Sequence, residues 1–216
     1  MSVFAKISTF AFLAVFIVLG LHCFASMLRK KPLKPSSIVT HFFHILTLPL
    51  IEQNRTWIGA IRKLVYLLAV LAVLMLAITG FFPSIFYGKA MTGFYMMIHT
   101  TFGGIFAVCA AFLAVACSPR NQFIASDWPW LAKLFKMENQ PAEENHCRCG
   151  ISVKIAFWLL LILSLSVILS IVLSMFHLFG TEMQHILFTV HKFSALTLAI
   201  VAIIHLYILA HKELNE

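Results

Sequence analysis

Charge is scarce in this sequence of 216 residues: Asp, Glu, Lys and Arg make up 11% of it, eight acidic residues against sixteen basic ones. A soluble domain of that composition would carry a mostly apolar surface, which excludes the ordinary water-soluble classes. Long polar stretches are missing too, since the longest, Pro119 to Val153, leaves no room for a separate soluble domain. Cysteines number five, and an odd count argues against a disulfide framework. Cys109 and Cys117 fall in an apolar run, where a small packing role is expected. Short alternating segments of the transmembrane-barrel kind are absent. Neither a nucleophile–base pair nor a phosphate loop occurs, so no independent catalytic site is expected.

What the chain has instead is hydrophobic residues, 61% of the total, gathered into five runs: Ile7–Phe24, Leu64–Tyr87, Ala90–Ser118, Ile155–Gly180 and Ile186–Ala210. Each is long enough to cross about 30 Å of hydrocarbon as a helix. The expected fold is all-α, an integral membrane protein of five spans embedded in lipid. Residues 1–35 form an N-terminal anchor helix, 36–60 an interfacial helix and linker, and 61–216 a four-helix bundle with a loop at 119–153. The first run has the basic start and apolar centre of a signal peptide but is read as a retained anchor. A lipoprotein reading of Leu21-His22-Cys23 is weak, because the residue before an acylated cysteine is normally small.

The net charge of +8 invites a nucleic-acid reading, but the basic residues stand beside the ends of apolar runs, so no nucleic-acid partner is expected. Arg29, Lys30, Lys31 and Lys34 follow the first run, and Arg55, Arg62 and Lys63 precede the second. Arg120, Lys133, Lys136, Arg148 and Lys154 occupy the third-to-fourth connection. The positive-inside rule makes these regions cytoplasmic, with Gly88–Lys89 and Thr181–Glu182 as short outer turns, the amino terminus outside and the carboxyl terminus inside. Within the cytoplasmic parts, 38–51 and 127–136 read as amphipathic stretches in the headgroup plane, the second equally suited to docking a partner subunit. His146-Cys147-Arg148-Cys149 is too tightly spaced for a usual zinc site and reads as reduced thiols, with a subunit interface as one use.

Ten histidines remain, and depth separates them. His177, His185 and His211 fall near span ends, and His41 and His44 lie three apart on the 38–51 stretch; imidazole is comfortable at a membrane edge. His22, His99, His191 and His205 lie inside spans, where an ionisable group is costly without a partner; the iron of a b-type haem is one that neutral imidazole can bind. His191 and His205 are fourteen positions apart on one run, nearly the same helical face and about 21 Å along it, so each could serve a haem near one membrane face. His99 and His191 each come nine residues into an inward-running span, after Ala90 and Glu182, about 13 Å down the helix, which makes them a plausible axial pair near the outer face. His22 and His205 each come seven residues before a basic residue, Arg29 and Lys212, so His22 can pair with His205 at the inner face if the first helix packs against the last. Lys192 beside His191 suggests snorkelling outward or pairing with a haem propionate. Gly80, Gly103, Gly104, Ala107, Ala195 and Ala202 supply small neighbours of the kind that let a haem or another helix approach.

With these residues in place the chain resembles the cytochrome b subunit of membrane-bound formate dehydrogenases, nickel–iron hydrogenases and thiosulfate reductases over about residues 60 to 212. In that family the first bundle helix opens with an arginine, then a haem-ligating histidine, and ends in Thr-Gly; Arg62 and Thr79-Gly80 stand in those places here. The second helix carries one histidine followed by glycine, matched by His99 and Gly103, and the last carries two histidines fourteen apart, matched by His191 and His205. The resemblance implies that His99 and His191 hold the outer haem. It departs at Tyr66, where the first-helix histidine belongs. The inner haem is then held by His205 with His22, is absent, or takes Tyr66 as tyrosinate, with His44 as a further ligand candidate.

The expected function is that of a haem b subunit, with one or two haems, in a respiratory oxidoreductase of the bacterial inner membrane. It would move electrons between a quinone, menaquinone or ubiquinone, and an iron–sulfur or cytochrome c type partner subunit. The alternative is a non-haem scaffold or small transporter whose histidines are satisfied by helix–helix hydrogen bonds.

Overall fold

In hydrocarbon every backbone N–H and C=O must be bonded within the protein, and a run of twenty or more apolar residues meets that demand alone only as a helix. The computed structural model describes residues 3–29, 57–123, 148–176 and 180–213, and among these it contains helices and no strand. The helices are α1 (Val3–Arg29), α2 (Trp57–Phe86), α3 (Phe94–Cys117), α4 (Arg148–Met175) and α5 (Thr181–Glu213), with a 3-10 turn at Ser118–Arg120 after α3. All five are long and apolar enough to cross a membrane, as the composition requires. His41, His44, the 127–136 stretch, His146, Cys147 and His177 lie outside the described residues.

The helix ends differ from the apolar runs for local reasons. α2 begins at Trp57, so Arg62 and Lys63 sit on its early turns, where long basic side chains can carry their charge to water along the helix. α3 begins at Phe94, later than Ala90, because Gly88 (φ 62) and Gly93 (φ 58) take left-handed conformations that turn the chain between α2 and α3. α5 begins at Thr181, so Thr181 and Glu182 form its first turn rather than a connection; Glu182 there meets the positive end of the helix dipole.

Two hairpins dominate the packing: α2 lies along α3 and α4 along α5, while α3 and α4 approach closely over a shorter length. The hairpins meet through side chains. Ala72 of α2, Phe106 of α3 and Leu198 of α5 form the buried centre, with Phe102, Leu163 and Val167 against it. Ala72, with no exposed surface, leaves room for the Phe106 ring. Leu74, Val108 and Leu165 point outward, an apolar exterior that suits lipid. At the end bearing Arg62, the Trp158 indole N–H of α4 donates to the Asn121 carbonyl at 2.9 Å, tying the hairpins together.

α1 leans on α2 and α5. At the end bearing Gly88 the attachment is aromatic: Phe4 stacks on Phe81 (centroids 6.1 Å) and meets Phe193 edge-on (5.5 Å), and Phe12 meets Phe81 edge-on (5.0 Å). Between those rings, Ala5 and Ser8 are completely buried. Near its other end α1 is held by a 2.6 Å hydrogen bond between His22 Nδ1 and the Tyr207 hydroxyl of α5.

Candidate functional site

Four helices converge on two imidazoles. His99 stands near the start of α3, where its Nδ1 lies 2.9 Å from the Thr79 hydroxyl of α2. That hydroxyl has one proton and donates it to the Met75 carbonyl of its own helix at 2.7 Å. The bond to His99 therefore runs from the imidazole N–H to the threonine oxygen. His191 of α5 has its Nδ1 3.0 Å from the Val167 carbonyl of α4. A carbonyl only accepts, so this nitrogen carries the proton as well. Both rings are thus Nδ1–H tautomers with the lone pair on Nε2, the arrangement that metal-ligating histidines adopt when an outer partner fixes the ring.

The ring centroids of His99 and His191 lie 6.5 Å apart, with their planes at 76°. Two metal–imidazole bonds of ~2 Å, plus ~1 Å from each nitrogen to its ring centre, place the centroids of an axial pair ~6 Å apart. The observed centroid separation is close to that value, and the Nδ1 bonds leave each Nε2 without a proton. Among the described residues no group of three or more His, Cys, Asp and Glu gathers, as a protein-only metal centre needs, whereas a haem takes only axial ligands from the chain.

The glycines divide around His99. A Cβ on Gly80 would lie 3.2 Å from His99 Cε1, so the imidazole rests against bare α2 backbone. At Gly103, one turn after His99, and at Gly104, a Cβ would meet nothing within 4 Å. Lys192 turns its ammonium back over the Phe188 ring, 4.2 Å from the centroid, and stands 6.0 Å from the Phe4 ring. Its head therefore lies toward the start of α5, the direction a snorkelling lysine takes.

His205 is 7% exposed, and its Nδ1 has no hydrogen-bond partner among the described residues. A buried polar atom left in that state costs about 1–3 kcal/mol. Two apolar clefts flank it through Ile204: one of about 260 Å³ reaching Ser152 and Ala156 of α4, the other of about 200 Å³ reaching Ala14 and Val18 of α1. α1 does run beside α5, and the His22 imidazole it brings meets Tyr207, with rings 5.7 Å apart and edge-on. Tyr66 is 38% exposed on α2 and Arg62 is half-buried one turn earlier.

Of the residues expected from sequence, the structure brings His99 and His191 together and places Lys192 beside the pair. Thr79, Val167 and Tyr207 were not anticipated as histidine partners. Thr79 carried a signal, for it lies near the end of its span at the depth of His99; a main-chain carbonyl such as that of Val167 carries none. Comparison with protein-family models, with curated proteins and with solved structures returns no match to this chain.

Proposed function

We propose that this chain is a b-type cytochrome subunit of a respiratory membrane complex, with a haem b held between His99 and His191. The observation that carries the proposal is that pair: two imidazoles at axial separation, each with its proton fixed on Nδ1 by a different helix. A bound haem supplies a one-electron carrier inside the bilayer, and the electron's source and destination lie outside the chain. The protein's part is to present two lone pairs, hold the rings with Thr79 and Val167, and surround them with apolar helices. The resemblance to the cytochrome b subunits of formate dehydrogenase, hydrogenase and thiosulfate reductase supports a quinone, menaquinone or ubiquinone, as one redox partner. It supports an iron–sulfur or cytochrome c type subunit as the other. The distribution of basic residues supports an inner-membrane protein with the His99–His191 pair toward the outer face and the carboxyl terminus in the cytoplasm. A second haem on His205, with His22 as the other ligand, belongs to the same proposal as its inner half.

The rival is a non-haem scaffold or transporter, favoured by the fact that His99 and His191 already have protein hydrogen bonds. A reduced-minus-oxidised visible spectrum of the purified full chain separates the two. A b-type α-band is expected that loses one haem's contribution in both His99→Ala and His191→Ala; a wild-type protein without the band overturns the cytochrome reading. Haem-to-chain stoichiometry then decides the inner site. A value near two that falls to one on His205→Ala supports two haems, and a value near one removes the inner haem.

A further inference from the structure

Ser8 is the one serine or threonine with a completely buried hydroxyl that has no hydrogen-bond partner among the described residues. Several other short hydroxyl side chains in the spans fold back on their own helix: Thr9 donates to the Ala5 carbonyl, Thr79 to Met75, Ser164 to Leu160 and Thr197 to Phe193, while Ser166 pairs with Ser194 across two helices. Ser8 makes no equivalent bond to the Phe4 carbonyl, and its hydroxyl is completely enclosed by the protein.

Its depth is fixed by its neighbours. Ser8 lies one turn after Phe4 and one turn before Phe12, and both rings pack on Phe81, the residue beside Gly80 and two after Thr79. Phe4 also packs on Phe193, two residues from His191. Ser8 is therefore within about one helical turn of the level of the His99–His191 pair, on the face of α1 that covers α2 and α5. A cation stands in the same neighbourhood, for Lys192 Nζ is 6.0 Å from the Phe4 ring.

We infer that the extra first helix is part of the cofactor site, Ser8 donating a hydrogen bond to, and Lys192 neutralising, a carboxylate on the edge of the porphyrin held by His99 and His191. The inference rests on the haem reading of that pair. A buried hydroxyl donor one turn from Phe4 and an ammonium 6.0 Å from the Phe4 ring are a carboxylate-binding combination: the oxygens accept from both, and the charge is balanced without a water shell. It gives α1 a function beyond anchoring.

The test is reconstitution of the full-length apoprotein with protohaem or with its dimethyl ester, whose masked carboxylates cannot carry charge. Wild type is expected to bind the free acid about tenfold or more tightly than the ester, since a hydrogen bond to a charged group is of that size. Ser8→Ala and Lys192→Gln should each shrink the preference and lower the haem midpoint potential by removing positive field near the iron, with retained helical circular dichroism showing that folding is intact. A wild type that binds acid and ester equally, or a Ser8→Ala protein with unchanged preference and potential, overturns the inference while leaving the haem reading standing. A wild type that takes up neither overturns both.

Discussion

Thr79 serves two helices with one hydroxyl: its proton secures it to α2 and its oxygen receives the Nδ1–H of His99. Thr79→Val keeps the shape and removes the acceptor, so haem affinity is expected to fall roughly 10- to 100-fold, measurable by haem titration of the apoprotein. The neighbouring Gly80 is expected to be intolerant for a different reason. The methyl of Gly80→Ala meets His99 Cε1 at 3.2 Å, on a ring held by Thr79, so the imidazole must shift. Weakened haem binding with unchanged helix content is the expected outcome, and normal binding would show that the ring gives way freely. Gly103→Ala meets no described protein atom within 4 Å. If it lowers haem binding while Gly104→Ala does not, the space one turn from His99 belongs to the cofactor.

α1 is held at two places by different forces, aromatic rings near Phe4 and Phe12 and one hydrogen bond at His22–Tyr207. Tyr207→Phe removes the bond and leaves the ring, and is expected to lower stability by about 1 kcal/mol. Cross-linking between cysteines placed near the Arg62 end of α1 and α5 should become less efficient, while the absorption of a haem on His99 and His191 stays as in wild type. At this scale the sequence was most informative. Apolar run length is enough for five helices, and the equal depth of His99 and His191 is enough to nominate them as partners. What it could not supply is rotation about each helix axis. That is set by side-chain fit, such as Phe106 against Ala72, and it decides that His99 faces Thr79 and that Val167 offers its carbonyl to His191. The same blindness hid Tyr207, because depth placed His22 level with His205 but could not say which residue of α5 its ring would meet. Helix starts were missed at α3 and α5, where left-handed glycines and a first-turn glutamate move the boundary without changing hydropathy.

Across the whole molecule the two hairpins touch more lightly than the helices within each hairpin, yet the two imidazoles come from different hairpins. A group bound to both acts as a clasp. With free haem at a thousand times its dissociation constant, binding to the folded form alone adds about 4 kcal/mol. Thermal unfolding in detergent should therefore move upward as protohaem is added to wild type and move less in His191→Ala; a wild-type midpoint insensitive to haem would contradict the clasp. The arrangement also orders events during synthesis. Thr79 and His99 are twenty positions apart, whereas His191 follows His99 by ninety-two, so the first imidazole leaves the ribosome long before its counterpart exists. Because its Nδ1–H partner lies within its own hairpin, His99 can be held as one tautomer in the membrane, with Nε2 unprotonated, before α5 arrives.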